Sequence, residues 1–383
     1  MSPQNARHAV AALFTLHGMI VGTWVPNVPL AKERLDVGPG VFGLALLCAA
    51  IGAIIAMPAA GALVNRIGSA RVSVMAGIGF CLALILPVSA PTLASFAAGL
   101  FVMGACMGSM DVAMNAHGIA VEKRLGKPVM SFFHGMFSLG AAAGAALGAL
   151  VIKPLGAPAF TVIMQAICLL MVLASARFLL PASEDKGLSG SHFAWPTSAT
   201  IGLGLLCFLA LMAEGAILDW AAIHLRQTFT LDASSAGLGY SLFSTGMMVS
   251  RFAGDSLRAR HGSIPLVRWS AALTMAGIAG ALVIPSAPFA ILAYAFTGIG
   301  IGNIAPVLFA GGGRAEPDAP GRGIAAVTTL GYAGFIAGPA IIGFAAEAAG
   351  LTLALALMIP ASLIIALSAG AASSADAGRK ATA

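Results

Sequence analysis

The sequence predicts an all-α membrane protein with about twelve transmembrane helices in two pseudo-symmetric six-helix bundles. Three observations predict this fold: the composition, long uninterrupted apolar runs and an internal repeat. Of 383 residues, 59% are hydrophobic and only 9% are charged, and the mean hydropathy is +0.96. A soluble domain carries about 25% charged residues, which is enough to cover a surface in water. The composition therefore excludes a soluble enzyme and a disordered chain.

The apolar runs are continuous, as in 41–64 and 199–218, and lack the two-residue alternation of barrel strands. A helix needs about 20 apolar residues to cross the hydrocarbon, and in lipid a helix satisfies its own backbone. Charges and Pro/Gly clusters mark the breaks between helices. The predicted helices are 9–31, 41–64, 72–90, 92–117, 129–152, 157–180, 198–224, 235–256, 266–285, 288–311, 322–348 and 351–371.

These helices divide into an N-terminal bundle at 1–180 and a C-terminal bundle at 198–371. A polar connector at 181–197 joins the bundles, and a tail at 372–383 is expected to be loose. Fifteen of the 20 Lys and Arg residues fall on the side that holds both termini, against four on the other side. The positive-inside rule then predicts a multi-pass protein of the bacterial inner membrane, with the termini, connector and tail in the cytoplasm.

The two halves of the chain repeat each other at a nearly constant offset. Four residues recur 196 positions later and six recur 194 positions later. The first set is Trp24, Leu35, Asp36 and Gly43; the second is Arg66, Gly68, Gly104, Gly108, Gly140 and Gly144. Repeated bundles of this kind are typical of secondary transporters, which place a substrate site near the midplane between the repeats.

The loop after the second predicted helix carries a family signature. It reads Gly61-x-x-x-Asn65-Arg66-x-Gly68-x-x-Arg71. This is similar to the Gly-x-x-x-Asp-Arg-x-Gly-Arg signature of the major facilitator superfamily, which the chain resembles over essentially its whole length. Asn65 stands where the family usually has an Asp that takes part in a charge relay. The resemblance implies a gating role for this loop and its repeat. The predicted gating residues are Asn65, Arg66, Arg71, Arg251, Asp255 and Arg260.

Two shorter motifs indicate which groups within the superfamily the chain resembles. Asp111-x-x-x-Asn115 resembles the acid-x-x-x-Asn pattern of fucose-type sugar/proton symporters. Together with the run from Met130 to Gly140, which includes His134, it resembles the MosC-like group associated with an inositol-derived rhizopine. The resemblance implies a small polyhydroxylated solute. The fucose-type symporters also carry a carboxylate in the first helix, and 9–31 contains none, so their two-acid mechanism is not carried over.

Ionisable side chains inside the predicted helices are the candidates for proton coupling, because each costs about 2.5–3.5 kcal/mol to insert. We predict this role for Glu214, Asp111 and His134. For each, the alternative is structural: a neutral acid bonded to a neighbouring helix, or a packed histidine. Polar and aromatic residues on the same helices are the predicted substrate contacts, and packing or anchoring at the membrane interface is their alternative. They are Asn115, Asn303, Trp220, Trp24 and His17.

The resemblance also suggests an inner gate. In the superfamily the fifth and eighth helices meet across the halves, which would bring Asp111 and His134 towards Arg251. We hypothesise that this cluster closes the cytoplasmic side when the substrate site faces outward. Arg251 and Asp255 are four residues apart on one predicted helix, so an ion pair between the two is the structural alternative.

The sequence predicts a symporter without enzymatic activity. It has no Gly-x-x-x-x-Gly-Lys loop for ATP, no nucleophile or metal constellation, and its five cysteines lie singly in apolar runs. We expect no cofactor, metal or nucleic acid; the predicted partners are a small-molecule substrate, protons and the lipid bilayer. A drug or amphipath exporter and a transporter-like sensor without flux remain as alternatives, and the direction of transport and the oligomeric state stay open.

Overall fold

The computed structural model describes residues 2–127, 129–182 and 194–376, and in these ranges the chain is helical and contains no strand. Connector residues 183–193 and tail residues 377–383 lie outside the described residues. The helices are α1 (Pro3–Leu35), α2 (Pro39–Ile67), α3 (Ser69–Ala83), α4 (Ile85–Ser89), α5 (Leu93–Leu125), α6 (Met130–Leu155), α7 (Ala157–Ala176), α8 (Ile201–Phe229), α9 (Ala233–His261), α10 (Ser263–Val283), α11 (Ala287–Ile301), α12 (Ile304–Ala315), α13 (Pro320–Ala349), α14 (Leu351–Ala356) and α15 (Met358–Leu367), followed by a 3-10 helix (Ala369–Asp376).

Ten helical spans of the described residues are long and apolar enough to cross a membrane, and a pair bent by 49° at the C-terminal end would make an eleventh. The remaining predicted span is α9, which has 29 residues but a polar composition. It carries Arg251 and Asp255 and is rich in serine. Because α9 packs against both α6 and α11, its polar side chains need not face lipid.

Three predicted helices are interrupted, and proline accounts for each interruption. A proline has no N–H for the carbonyl four residues earlier. Pro87 and Pro360 lie four residues after the ends of α3 at Ala83 and α14 at Ala356. Pro306 lies four residues after Gly302, the residue that follows the end of α11. Proline alone does not force a break, since Pro58 and Pro339 lie within the continuous helices α2 and α13.

The repeat seen in the sequence reappears as a repeat of close helix crossings. On α5, a Cβ added at Gly104 would overlap the backbone carbonyl of Ala49 on α2. On α11, a Cβ added at Gly298 would overlap the carbonyl of Phe243 on α9 in the same way. Small residues let two helix backbones approach this closely in a membrane. The glycines at the 194-residue offset therefore set equivalent helix contacts.

Each signature loop forms a tight turn between two helices. Gly68 and Gly262 have φ of 90° and 86°, a backbone conformation that favours glycine. The residue after each glycine is fixed by a side chain from elsewhere in its own half. Ser69 Oγ bonds to His117 Nδ1 at 2.7 Å, and the Ser263 backbone N–H donates to Asp376 at 2.7 Å. The tail was expected to be loose, but residues 372–376 belong to a 3-10 helix that Asp376 fastens to α10.

Candidate functional site

Asp111 lies on α5 and is half-buried. The Asn115 amide, one turn along the helix, donates to the Asp111 backbone carbonyl at 2.8 Å and to its Oδ1 at 3.1 Å. The Tyr332 hydroxyl, from α13, lies within hydrogen-bonding reach of the same carboxylate. Asp111 therefore connects the N-terminal helices (α1–α7) with the C-terminal helices (α8–α15).

Glu214 on α8 forms an ion pair with Arg251 on α9, with 3.6 Å between Oε1 and Nη2. The two side chains are 17% and 14% exposed, so neither is sealed from water. Arg251 Nη1 also donates to Ser138 Oγ on α6 at 2.9 Å. The expected pairing of Arg251 with Asp255 differs from this arrangement: Asp255 is exposed, whereas the partly buried guanidinium is turned towards the partly buried acid.

His134 on α6 is exposed although protein surrounds it. Its ring stands edge-on to the buried Phe14 ring, with 5.3 Å between centroids. Arg251 and His17 lie close enough to act on it electrostatically. A side chain that water reaches among packed helices lines a hollow, so His134 places a polar hollow between α1, α6 and α9.

The structure thus brings together Asp111, His134, Glu214 and Arg251, with Tyr332 between the acids. His134 approaches Arg251, as the inner-gate hypothesis requires. The cross-half partner of Asp111 is Tyr332, however, and the acid paired with Arg251 is Glu214. Carboxyl, imidazole and phenol groups around one hollow can hold a proton and can hydrogen-bond to hydroxyl groups of a solute.

Tyr332 and Ser138 were not singled out by the sequence as site residues. The chain has only three tyrosines, and each reaches a titratable group. Tyr294 bonds to His224 at 3.1 Å, Tyr240 lies near Glu214, and Tyr332 contacts Asp111. The rarity of a phenol in this apolar sequence is the signal that could have identified Tyr332.

Three predicted substrate contacts are buried in the closed part of the bundle. Trp220 is fully buried and stands edge-on to Phe42, with 6.2 Å between ring centroids. Trp24 is 4% exposed and packs near Phe96. His17 packs against two phenylalanine rings, and neither of its ring nitrogens has a hydrogen-bond partner. In this conformation none of the three offers a free ring face to a solute.

Asn303 was also predicted to contact substrate, and here it holds helices together. Its amide nitrogen donates to the Ser250 carbonyl at 2.9 Å and to Ser250 Oγ at 2.8 Å. Asn303 lies at the break between α11 and α12, and its side chain packs against Gly254. Because Gly254 has no side chain, the Asn303 amide has room at this position. The buried amide therefore bonds to α9, because burial of an unsatisfied amide would be unfavourable.

The predicted gating residues of the loops lie at the surface. Asn65, Arg66 and Arg71 are exposed around the turn at Gly68, and Arg260 is exposed near the end of α9. Their gating role stays a prediction. Within the described ranges, no group of three His, Cys, Asp or Glu side chains could hold a metal ion.

The two ends of the bundle differ. The end where α1 and α8 finish and α2 and α9 begin, here called the outer end, is held shut across the halves. Arg226 on α8 pairs with Glu33 on α1, with Nη2 to Oε2 at 2.7 Å, and the Gly40 N–H donates to Glu347 on α13 at 2.9 Å. Towards the opposite, inner end, Phe252 stacks on Phe132. This stacking also joins the two halves, so the inner end is held by an aromatic contact and the outer end by polar contacts.

Comparison with known proteins agrees with these features. The family profile described as Major Facilitator Superfamily matches residues 10–205. An uncharacterised MFS-type transporter of Yersinia pestis is 37% identical over 360 residues, which are 94% of this chain and 93% of that protein. The membrane protein MosC of Rhizobium meliloti is 31% identical over 367 residues, which are 94% of this chain and 88% of MosC.

Solved structures share the fold. The nucleoside transporter NupG superposes with a TM-score of 0.76 at 14% identity, covering 96% of this chain and 99% of NupG. A bacterial homologue of the human lysosomal transporter Spinster gives a TM-score of 0.70 at 13% identity, covering 97% of each chain. The family and the relatives are transporters and not enzymes. The chain is thus an all-α, multi-pass secondary transporter that belongs to the major facilitator superfamily, within its MosC-like group.

Proposed function

We propose that this transporter couples protons to the movement of a small polar, sugar- or cyclitol-like solute across the bacterial inner membrane. It works by alternating access: the N-terminal and C-terminal bundles, at 1–180 and 198–371, rock about the shared hollow. Both termini are cytoplasmic. Glu214, Asp111 and His134 carry the proton coupling.

The observation that carries the proposal is the half-buried pair of Glu214 and Arg251 with its bond to Ser138. These residues lie on α8, α9 and α6, so the cluster joins the two bundles. Protonation of Glu214 would cancel its attraction for Arg251, which would leave the guanidinium with a weaker hold on α8. A proton arriving from one side can in this way change how the helices of the two bundles are attached.

The lining of the hollow supports this class of solute. Asp111, Asn115 and Tyr332 offer acceptors and donors that match hydroxyl groups. The motif at Asp111 and Asn115, which resembles that of fucose-type sugar symporters, supports a polyhydroxylated solute of this kind. A drug exporter would instead present a mostly apolar hollow, so the polar cluster favours the sugar- or cyclitol-like class.

The test begins with purified protein in detergent and a thermal-shift screen of inositols, monosaccharides and amphipathic drugs. The best ligand is then followed in proteoliposomes with and without a proton gradient. We expect a cyclitol or sugar to raise the unfolding temperature and a proton gradient to drive its accumulation. Stabilisation by drugs alone, or flux that ignores the gradient, would contradict the proposal.

Substitutions of the two acids test which residues carry the proton coupling. Glu214→Gln and Asp111→Asn should each lose gradient-driven accumulation, because the neutral amide cannot exchange a proton. Asp318→Asn is the control, since Asp318 is an exposed acid to which no role in gating or binding is assigned. Accumulation by both site variants at the rate of the control would remove these acids from the mechanism.

A further inference from the structure

A second buried acid, Asp219, lies on α8 between the hollow and the outer end. It is only 8% exposed. The Trp24 side chain of α1 lies within hydrogen-bonding reach of its carboxyl group, so the two halves approach each other here. Tyr240 on α9 is the titratable group that faces it from the neighbouring helix. Asp219 is therefore buried by elements of both halves.

The surroundings of Asp219 differ from those of Glu214. Glu214 has Arg251 at ion-pair distance. For Asp219, the described part of the chain places no Lys, Arg or His within that distance, and its polar neighbours are the uncharged Trp24 and Tyr240. An isolated buried carboxylate is strongly unfavourable, and such a group takes up a proton instead. Burial in this setting requires the neutral acid.

The burial of Asp219 depends on closure of the outer end. The next residue, Trp220, is buried against Phe42 of α2. Two turns further along α8, Arg226 pairs with Glu33 of α1. If α1 and α2 moved away from α8, Asp219 would lose Trp24 and meet water, where a carboxylate is stable. Closing the outer end and holding a proton at Asp219 are therefore the same step.

We propose that Asp219 is a proton-binding site that couples protonation to closure of the outer end. A proton from the outer side neutralises Asp219, the outer end shuts over it, and release requires the outer end to part again. This inference rests on the proposed function and adds a pH-dependent control of the outer end that is distinct from the Glu214–Arg251 pair. The proton on Asp219 enters and leaves at the outer side, so it is not the transported proton. Asp219 acts on the conformation and is not proposed to touch the solute.

The test measures outer-end opening and needs no substrate. Ser241 on α9 is 5% exposed, and its hydroxyl donates to the Ala142 carbonyl of α6 at 2.9 Å. In a variant lacking the native cysteines, Ser241→Cys is buried at the junction and reacts with N-ethylmaleimide only when α6 and α9 part. Rates are divided by those of Ser89→Cys, an exposed position, which removes the pH dependence of the thiolate itself.

With Asp219 intact, the normalised labelling rate should rise about tenfold from acid to alkaline pH, as ionisation opens the outer end. Asp219→Asn mimics the neutral acid and should label slowly at every pH. Asp36→Asn, an exposed acid at the outer end, is the matched control and should keep the pH dependence. The inference is overturned if Asp219→Asn keeps the wild-type pH profile, or if the wild-type rate does not change with pH.

Two further readouts keep the test decisive. If Asp219→Asn does not yield a monodisperse protein, Asp219→Glu replaces it as the test variant. This variant keeps a carboxyl group in a shifted position, so the midpoint of the labelling rate against pH should move. An unmoved midpoint overturns the inference. Gradient-driven flux tests the proposed function separately. Flux that follows the gradient, together with an unchanged profile in Asp219→Asn, would remove Asp219 and leave the proposed function standing.

Discussion

The outer and inner ends of the bundle use polar contacts in opposite ways. At the outer end two described contacts cross between the halves: Glu33 pairs with Arg226, and Glu347 accepts from the N–H of Gly40. At the inner end a polar contact fastens each signature turn within its own half. Ser263 bonds to Asp376 in the C-terminal half, and in the N-terminal half Ser69 bonds to His117.

This difference indicates how the molecule can move. His117 also accepts from the backbone N–H of Leu180 at 3.0 Å, so each inner turn is fastened to the chain segment that follows its own last helix. Hydrogen bonds within each half make that half a rigid unit, whereas the contacts between the halves at the outer end can be broken and formed again. Substitutions at the outer end should therefore change the conformational equilibrium, and substitutions at the inner turns should change stability.

The largest effect is expected where α2 and α13 touch at the outer end. A Cβ on Gly43 would lie 2.7 Å from the Pro339 carbonyl oxygen and 3.2 Å from Gly343 Cα, so Gly43→Leu must push the helices apart. Overpacking against backbone costs about 3 kcal/mol, which corresponds to about a hundredfold shift towards the open outer end. Maleimide labelling of Ser241→Cys measures it. Gly321→Leu, in open space on α13, is the control. Equal labelling of the two folded variants would contradict the prediction.

The next largest effect is expected at the inner turn of the C-terminal half. Asp376 accepts from the Ser263 N–H and from Ser263 Oγ, each at 2.7 Å. Hydrogen bonds to a charged group are worth about 1.5–3 kcal/mol, so Asp376→Asn should lower the free energy of unfolding by about 2 kcal/mol. The thermal midpoint in detergent measures this, with the exposed Asp318→Asn as control. Maleimide labelling at the outer end should not change. A change in labelling would contradict the difference that we expect between the two ends.

Much of the fold could be predicted because the lipid imposes length and polarity on each helix. Continuous apolar runs and the recurring glycines indicated the helices and their close crossings, as at Gly104 and Gly298. The sequence predicted α9 at 235–256, but its polar composition did not reveal which helices cover it, and the tail did not reveal the bond from Asp376. Such partners are distant in sequence, and spacing along one chain does not reveal them.

For the candidate site, the rarity of charge within apolar helices identified Glu214, Asp111 and His134. The same reasoning could not identify which base faces Glu214, since Arg251 is on another helix and Asp255, four residues from it, offered a local alternative. The aromatic Trp220 matched a substrate contact by type, but its burial depends on how α2 and α8 pack. Cross-helix contacts decide such roles, and they emerge only from the packing.

A smaller effect is expected at the start of α9. The Ser235 backbone N–H and the Ser234 hydroxyl, each 2.7 Å from Asp232 Oδ1, lower the pKa of this carboxyl to about 2. Its stabilisation is complete above the unfolded value of about 3.9 and is lost as the pH falls towards about 2. At neutral pH, Asp232→Ala should lower stability by about 1 kcal/mol, measured by thermal unfolding. Asp36 is the equivalent residue in the first repeat, but it does not cap the start of a helix, so Asp36→Ala should lower stability less. Equal losses of stability in the two variants would contradict the capping role of Asp232.

The smallest effect is expected for the ion pair between Glu33 and Arg226, although it crosses the halves. The side chains are 53% and 25% exposed, and water and salt screen such pairs. A double-mutant cycle with Glu33→Gln and Arg226→Gln should give a coupling of about 0.5 kcal/mol on outer-end labelling of Ser241→Cys, and high salt should abolish it. A coupling several times larger, or one that salt leaves unchanged, would make this pair the main latch in place of the α2–α13 crossing. A small coupling would mean that close packing of the helices holds the outer end shut. The charges at the surface would then help to orient the two halves relative to each other.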